Sequence, residues 1–190
     1  MCYGPGAKTI PVFAMARLPI VLYPDPTLLN PTVRVEEVDD SLRQLVADMV
    51  ETMNSAPGIG LAANQVQRTE RVCIVDVSAG EEEGMLHVFV NPEILEMDGS
   101  HDDEEGCLSF PGININIERP FRVRVRALDL EGAPFELEAD GLLGRCIQHE
   151  CEHLDGHTFL RNLSGLKRGI LKRRIRKRIK DGDWVATSAP

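Results

Sequence analysis

Long apolar runs are missing from this 190-residue sequence. Uninterrupted aliphatic stretches reach only a few residues, as in Val72 to Val75, where about 20 are needed to cross a bilayer, so no membrane span is expected. Low-complexity tracts are missing too. With 12 Pro, 16 Gly, 43% hydrophobic and 27% charged residues, the composition excludes collagen-like, coiled-coil and disordered classes. Cysteine is sparse and odd in number: Cys2, Cys73, Cys107, Cys146 and Cys151 make no paired framework. That fits a reducing compartment, hence a cytoplasmic location, and leaves catalysis or metal ligation as their special use. What remains is a globular chain long enough to bury roughly 70% of its unfolded surface.

Acidic residues outnumber basic ones by 30 to 21, but the signs are segregated. Nine of the 21 basic residues fall between Lys167 and Lys180, which leaves residues 1–166 with 28 acids against 12 bases, a net of −16. An acidic body with a basic tail suggests a polyanionic partner for the tail. At the other end, Lys8 followed by Ile10 to Ala16 imitates a secretory signal, but Pro11 breaks its short apolar stretch. Residues 1–17 are read as a loosely ordered leader, 18–165 as one catalytic domain and 166–190 as a basic C-terminal helix and tail.

Hydrophobic periodicity orders the domain. Val38, Leu42, Leu45, Val46, Met49, Val50 and Met53 make the i, i+3, i+4 stripe of an amphipathic helix, ended by Asn54 to Gly58. Strands are expected over Arg71–Val77, Met85–Ile94 and Phe121–Leu130; in the last, Val123, Val125 and Ala127 alternate with Arg122, Arg124 and Arg126 on a solvated face. The turn Glu131 to Pro134 folds it into a hairpin with Phe135–Ala139. A second helix runs over Gly141–Leu154, with Asp140 as N-cap and Gly156 as stop. A third covers Leu163–Lys180 with a stripe of Leu171, Ile175 and Ile179. The class is α+β.

His149-Glu150-Cys151-Glu152-His153 is H-E-x-x-H. On a helix, four residues advance about 6 Å and rotate by about 40°, so both imidazoles overlie one patch and can share one metal ion. Leu142, Leu143 and Cys146 extend the same face, which turns the pair inward. Glu150 stands next to the first imidazole, placed to take a proton from water at the metal. Hydrolytic sites usually have three protein ligands and an open position, so a third is needed. His157 follows His153 by four residues; Cys107, in Glu105-Gly106-Cys107-Leu108-Ser109, is the competing candidate, a thiolate beside a glycine that lets the backbone approach. Spacing leaves both open.

Three separated segments resemble peptide deformylase. Gly58-Ile59-Gly60-Leu61-Ala62-Ala63-Asn64-Gln65 is similar to that family's first motif, Glu105-Gly106-Cys107-Leu108-Ser109 to its second and Gln148-His149-Glu150-Cys151-Glu152-His153 to its third, in the family's order. The likeness spans about residues 18–165. It implies antiparallel β-sheets packed around a central helix carrying the H-E-x-x-H motif, with a C-terminal helix. The implied activity is a bacterial metallohydrolase of protein biosynthesis that removes the N-formyl group from the initiator methionine of new peptides and releases formate.

By matching position, the resemblance assigns Cys107, His149 and His153 to the metal. The family's ion is iron(II), replaceable by zinc, nickel or cobalt. Metal-bound water would attack the formyl carbon with Glu150 as general base and then acid, while the Gln65 amide and the Leu108 backbone N–H stabilise the oxyanion. Ile59, Cys146, His149 and the stem of Arg145 would receive the methionine, Gly60 would offer backbone hydrogen bonds to an extended peptide, and Gly106 is a further expected substrate-binding residue. Family members are thought to dock on ribosomes through a C-terminal helix, which gives the basic helix an expected partner; no DNA or membrane contact is implied. A zinc peptidase using His157 or a distant carboxylate as third ligand would leave Cys107 and Gln65 without roles.

Overall fold

The computed structural model describes residues 15–82 and 84–186; of the leader expected over 1–17, residues 1–14 lie outside them. Strands β1 (Gly60–Ala62), β2 (Val72–Val75), β3 (His87–Asp98), β6 (Arg122–Leu128) and β7 (Pro134–Asp140) form one antiparallel sheet in the order β1-β2-β3-β6-β7, while β4 (His101–Gly106) and β5 (Asn114–Arg119) pair as a separate two-stranded sheet. Helix α1 (Asp40–Asn54) precedes the sheet, α2 (Gly141–Leu154) follows β7, and α3 (Gly165–Asp181) closes the described chain. The architecture is α+β, as the periodicity requires.

The five-stranded sheet lies between two helices, and β2 shows why all four of its residues are buried. Val72 and Ile74 face Leu42, Leu45, Val46, Met49 and Met53 of α1, whereas Cys73 and Val75 face Ile147, Cys151 and Leu154 of α2. Successive side chains alternate sides of a strand, so a strand covered on both faces reads as an unbroken apolar run. In β6, Val123, Val125 and Ala127 are buried. On its other face the charges are matched rather than bare: Arg124 binds Glu96 and Glu136, and Arg126 binds Glu136.

Boundaries shift where capping decides them. Helix α1 starts at Asp40 because the Asp39 carboxylate accepts the Leu42 N–H at 2.9 Å. Asp140 holds the N-cap position of α2, but its side chain makes no capping bond. Gly156 does end that helix, at φ +74, with the backbone of Leu29 to Pro31 where a Cβ would sit. Strand β3 runs four residues beyond the expected Ile94, past register shifts around Pro92 and Glu96. Helix α3 buries Leu171 and Ile175, while Ile179 is exposed, so its apolar stripe is shorter than the sequence pattern suggests.

Strands β1, β4 and β5 have no expected counterpart. Strand β4 reads His-Asp-Asp-Glu-Glu-Gly, a composition depleted in strands, and forms because each of its residues pairs in register with β5. A third apolar cluster joins Phe110, Ile113 and Ile117 of the β4–β5 unit to Phe159, Leu160, Leu163, Leu171 and Ile175. The small sheet and its loop are thereby seated on the C-terminal part of the chain. The site lies between the two sheets.

Candidate metal centre

Helix α2 is buried around most of its circumference, including Arg145, Gln148, His149, Glu150 and His153. Buried polar groups of this kind need partners. His149 Nδ1 is 3.0 Å from Glu105 Oε2, which fixes the ring and directs Nε2 away from the carboxylate. His153 Nε2 lies 3.2 Å from Cys107 Sγ. One ligand atom each from Cys107, His149 and His153 fall within 4.8 Å of one another, brought together from the end of β4 and two successive turns of α2. His157 is exposed and outside this group.

The donor set suits a divalent ion. Thiolate and imidazole together accept iron(II), zinc, cobalt or nickel. Burial opposes charge on His149, yet hydrogen bonds to Cys107 and Glu105 outweigh it and raise its pKa well above that of an ordinary imidazole. Burial, with His149 and Arg119 nearby, lowers the pKa of His153 and keeps it neutral, the form that ligates.

Behind His149 lies a charge network that only the fold reveals. Glu105 accepts from His149, from Arg119 Nε and, at 2.6 Å, from Arg145 Nη1; Arg119 reaches on to Glu152 at 3.1 Å. Desolvation opposes charge on Glu105, but bonds from His149 and Arg119 prevail and hold its pKa at about 2. The Arg145 guanidinium, 2% exposed, also donates to the carbonyls of Ile117 and His101. Arg145 lines the cavity while its guanidinium is bound into this network. The E-G-C-L-S segment contains Glu105, but no sequence spacing ties it to Arg119, fourteen residues away.

A cavity of about 360 Å³ opens over the cluster. Its wall includes Ile59, Gly60, Gln65, Gly106, Cys107, Leu108, Arg145, Cys146, His149 and Glu150, which are the expected site residues apart from His153. Leu142, expected to face inward, is 51% exposed and borders the mouth. Gln65 is oriented by its carbonyl, which accepts the Ala62 N–H at 2.8 Å; its NH₂ lies 3.6 Å from Cys107 Sγ and 3.2 Å from Ser109 Oγ. Asn64 Nδ2 donates to the His153 carbonyl at 2.5 Å.

Glu150 Oε2 is buried with no hydrogen-bond partner, and desolvation raises the carboxyl to about 7. That value suits a group that both takes and returns a proton near neutral pH. Glycine at position 60 leaves room for the Glu150 carboxylate, because a Cβ there would meet it unless the carboxylate shifted. Among the described residues, no helix is long and apolar enough to cross a membrane.

Comparison with known proteins places this arrangement. The polypeptide deformylase family matches residues 17–169. The chain is 53% identical over 164 residues to peptide deformylase 1 of Burkholderia multivorans, covering 86% of this chain and 90% of that one. It is 50% identical over 164 residues to the peptide deformylase of Stutzerimonas stutzeri, with coverages of 86% and 96%. Its fold is similar to the crystal structure of a peptide deformylase from Legionella pneumophila, with a TM-score of 0.81, 40% identity and coverages of 88% and 98%. It is also similar to that of a peptide deformylase from Synechococcus elongatus in complex with actinonin, with a TM-score of 0.80, 37% identity and coverages of 94% and 95%.

Proposed function

The chain belongs to the polypeptide deformylase family, and from that membership we propose how its residues remove the N-formyl group from the initiator methionine of nascent peptides. The observation that carries the proposal is the convergence of Cys107, His149 and His153 beside Glu150 at one cavity. These three side chains would hold one divalent ion, iron(II) by family likeness, with zinc, nickel or cobalt as substitutes. When bound, the ion supplies a Lewis acid and lowers the pKa of a water ligand.

Everything else falls to the chain. Glu150, buried and with a free carboxylate oxygen, takes the proton of the attacking water and afterwards gives one to the departing amine. As the formyl carbon becomes tetrahedral, its oxygen gains charge. The Gln65 NH₂, held by the Ala62 N–H on its other end, and the Leu108 backbone N–H are the donors that meet it. Ile59, Cys146, His149 and the Arg145 stem receive the methionine side chain, Gly106 lines the same cavity, and the Gly60 backbone pairs with the extended peptide. Glu105 orients His149 from behind.

Residues 18–165 are read as the catalytic domain, with the leader before it and the basic helix and tail 166–190 after it. Exposed Arg173, Arg174, Arg176, Lys177 and Lys180 on α3 suit ribosomal RNA, which would place the enzyme where its substrate emerges, in the cytoplasm. Formate release from a formyl-Met peptide by anaerobically prepared iron(II) protein tests the activity. The parent chain is expected to release formate and Glu150→Ala to release almost none; equal rates would contradict the assignment.

A further inference from the structure

The loop Cys107–Ile113 joins β4 to β5 and carries two of the groups just assigned, the Cys107 thiolate and the Leu108 N–H. It belongs to the two-stranded sheet, so no ladder of the main sheet holds it. Inside it, the Phe110 N–H donates to the Cys107 carbonyl and the Ile113 N–H to the Phe110 carbonyl. From outside, one set of contacts comes from the far end of the chain. Arg178 of α3 donates through Nη1 to the Pro111 carbonyl at 2.6 Å and through Nη2 to the Asp183 carbonyl at 2.8 Å. Its guanidinium carbon lies 4.9 Å from the Trp184 ring centroid.

Trp184 reaches the same loop by two routes. Its ring meets Phe110 edge to face at 6.5 Å between centroids. Its Nε1–H donates to the Tyr23 carbonyl at 2.6 Å, and the Tyr23 N–H in turn donates to the Ser109 carbonyl at 3.0 Å. Phe110 is fully buried, stacks on Tyr23 at 4.9 Å and packs on Phe159 at 4.5 Å; Phe159 lies 6.1 Å from His149. Phe110, Pro111 and Gly112 all line the cavity.

We propose that Arg178 and Trp184 are positioning residues for deformylation, a C-terminal clamp that fixes the Cys107–Ile113 loop and with it the Leu108 N–H. The proposal rests on the deformylase reading above. A Leu108 N–H that stabilises charge formed only in the transition state contributes to kcat more than to KM. Releasing the loop therefore lowers kcat and leaves substrate binding nearly unchanged. A misplacement near 1 Å is enough for a loss of roughly tenfold or more.

The test uses full-length Arg178→Ala, Trp184→Ala, Arg178→Lys and Trp184→Phe as iron(II) proteins, with Leu166→Ala, exposed on the same helix, as control. Initial rates on a formyl-Met peptide are read well below the melting temperature, beside metal content. Both alanine variants are expected to lose roughly tenfold in kcat with KM within about twofold and metal retained. Arg178→Lys, which keeps one donor, and Trp184→Phe, which keeps the ring contact, are expected to lie between parent and alanine. Alanine variants within about twofold of an active parent in kcat would overturn the clamp. If the alanine variants do not fold, conservative variants equal to the parent overturn it and intermediate ones support it. A parent that releases no formate would sink the deformylase reading itself.

Discussion

Glu150 and Glu105 are two buried carboxyls on either side of His149 with opposite fates. Glu150 has desolvation and no hydrogen-bond donor on Oε2, and its pKa rises to about 7. Glu105 has the His149 imidazole and the Arg119 guanidinium, which overcome desolvation and hold it at about 2. Glu150→Gln keeps the shape and removes the proton carrier; kcat for formate release is expected to fall by about 10²- to 10⁴-fold with the fold intact. Glu105→Ala does something different. It strands Arg119 and Arg145 without their buried partner and is expected to cost about 3–5 kcal/mol of stability in urea unfolding, with about 10- to 100-fold weaker metal binding. A loss below about 1 kcal/mol would mean that the two arginines find other acceptors.

Residue chemistry was the most legible level. The H-E-x-x-H spacing fixed two imidazoles on one helix turn, and the motif around Cys107 offered a thiolate, although spacing alone did not choose between Cys107 and His157. What sequence did not disclose was Arg119. Its role depends on β4 and β5 pairing so that Glu105 and Arg119 share one face, a contact made by register rather than by local pattern.

At the scale of elements, amphipathic periodicity found α1 and the β6–β7 hairpin because each presents an apolar face to a core, and α2 was bounded by Asp140 and Gly156. It missed β1 and the β4–β5 pair. Strand β1 is three residues long, and β4 is acidic, so neither carries a pattern of its own. Both nonetheless bound the cavity. Gly60 in β1 shows the coupling: Gly60→Ala puts a methyl group against the Glu150 carboxylate, and activity is expected to drop at least tenfold. Parent-like rates in that variant would mean the carboxylate is free to move aside. Gly156→Ala tests the end of α2 instead. Its φ of +74 and the backbone atoms 2.8 Å from a Cβ there predict a loss of at least 1 kcal/mol in thermal unfolding, without a specific effect on chemistry.

The whole molecule is an acidic body joined to a basic helix. Residues 167–180 hold nine cations and only two buried apolar residues in α3, so most of the helix surface is open charge. Ribosome binding by the full chain is expected to weaken steeply as salt rises and to be lost on deleting Lys167 to Pro190, as sedimentation with ribosomes would show. Binding insensitive to salt would contradict an electrostatic contact. The same helix sends Arg178 back to the active-site loop, so the charged surface and the cavity are parts of one structure.

A sulfur from the β4–β5 unit and two imidazoles from α2 are proposed to share one ion. Electronic absorption of the cobalt(II)-substituted protein reads that directly. The parent is expected to take up one cobalt and show a thiolate-to-cobalt charge-transfer band in the near ultraviolet, and Cys107→Ser to lack that band. A cobalt-loaded parent without the band, or a band that survives Cys107→Ser, would contradict it.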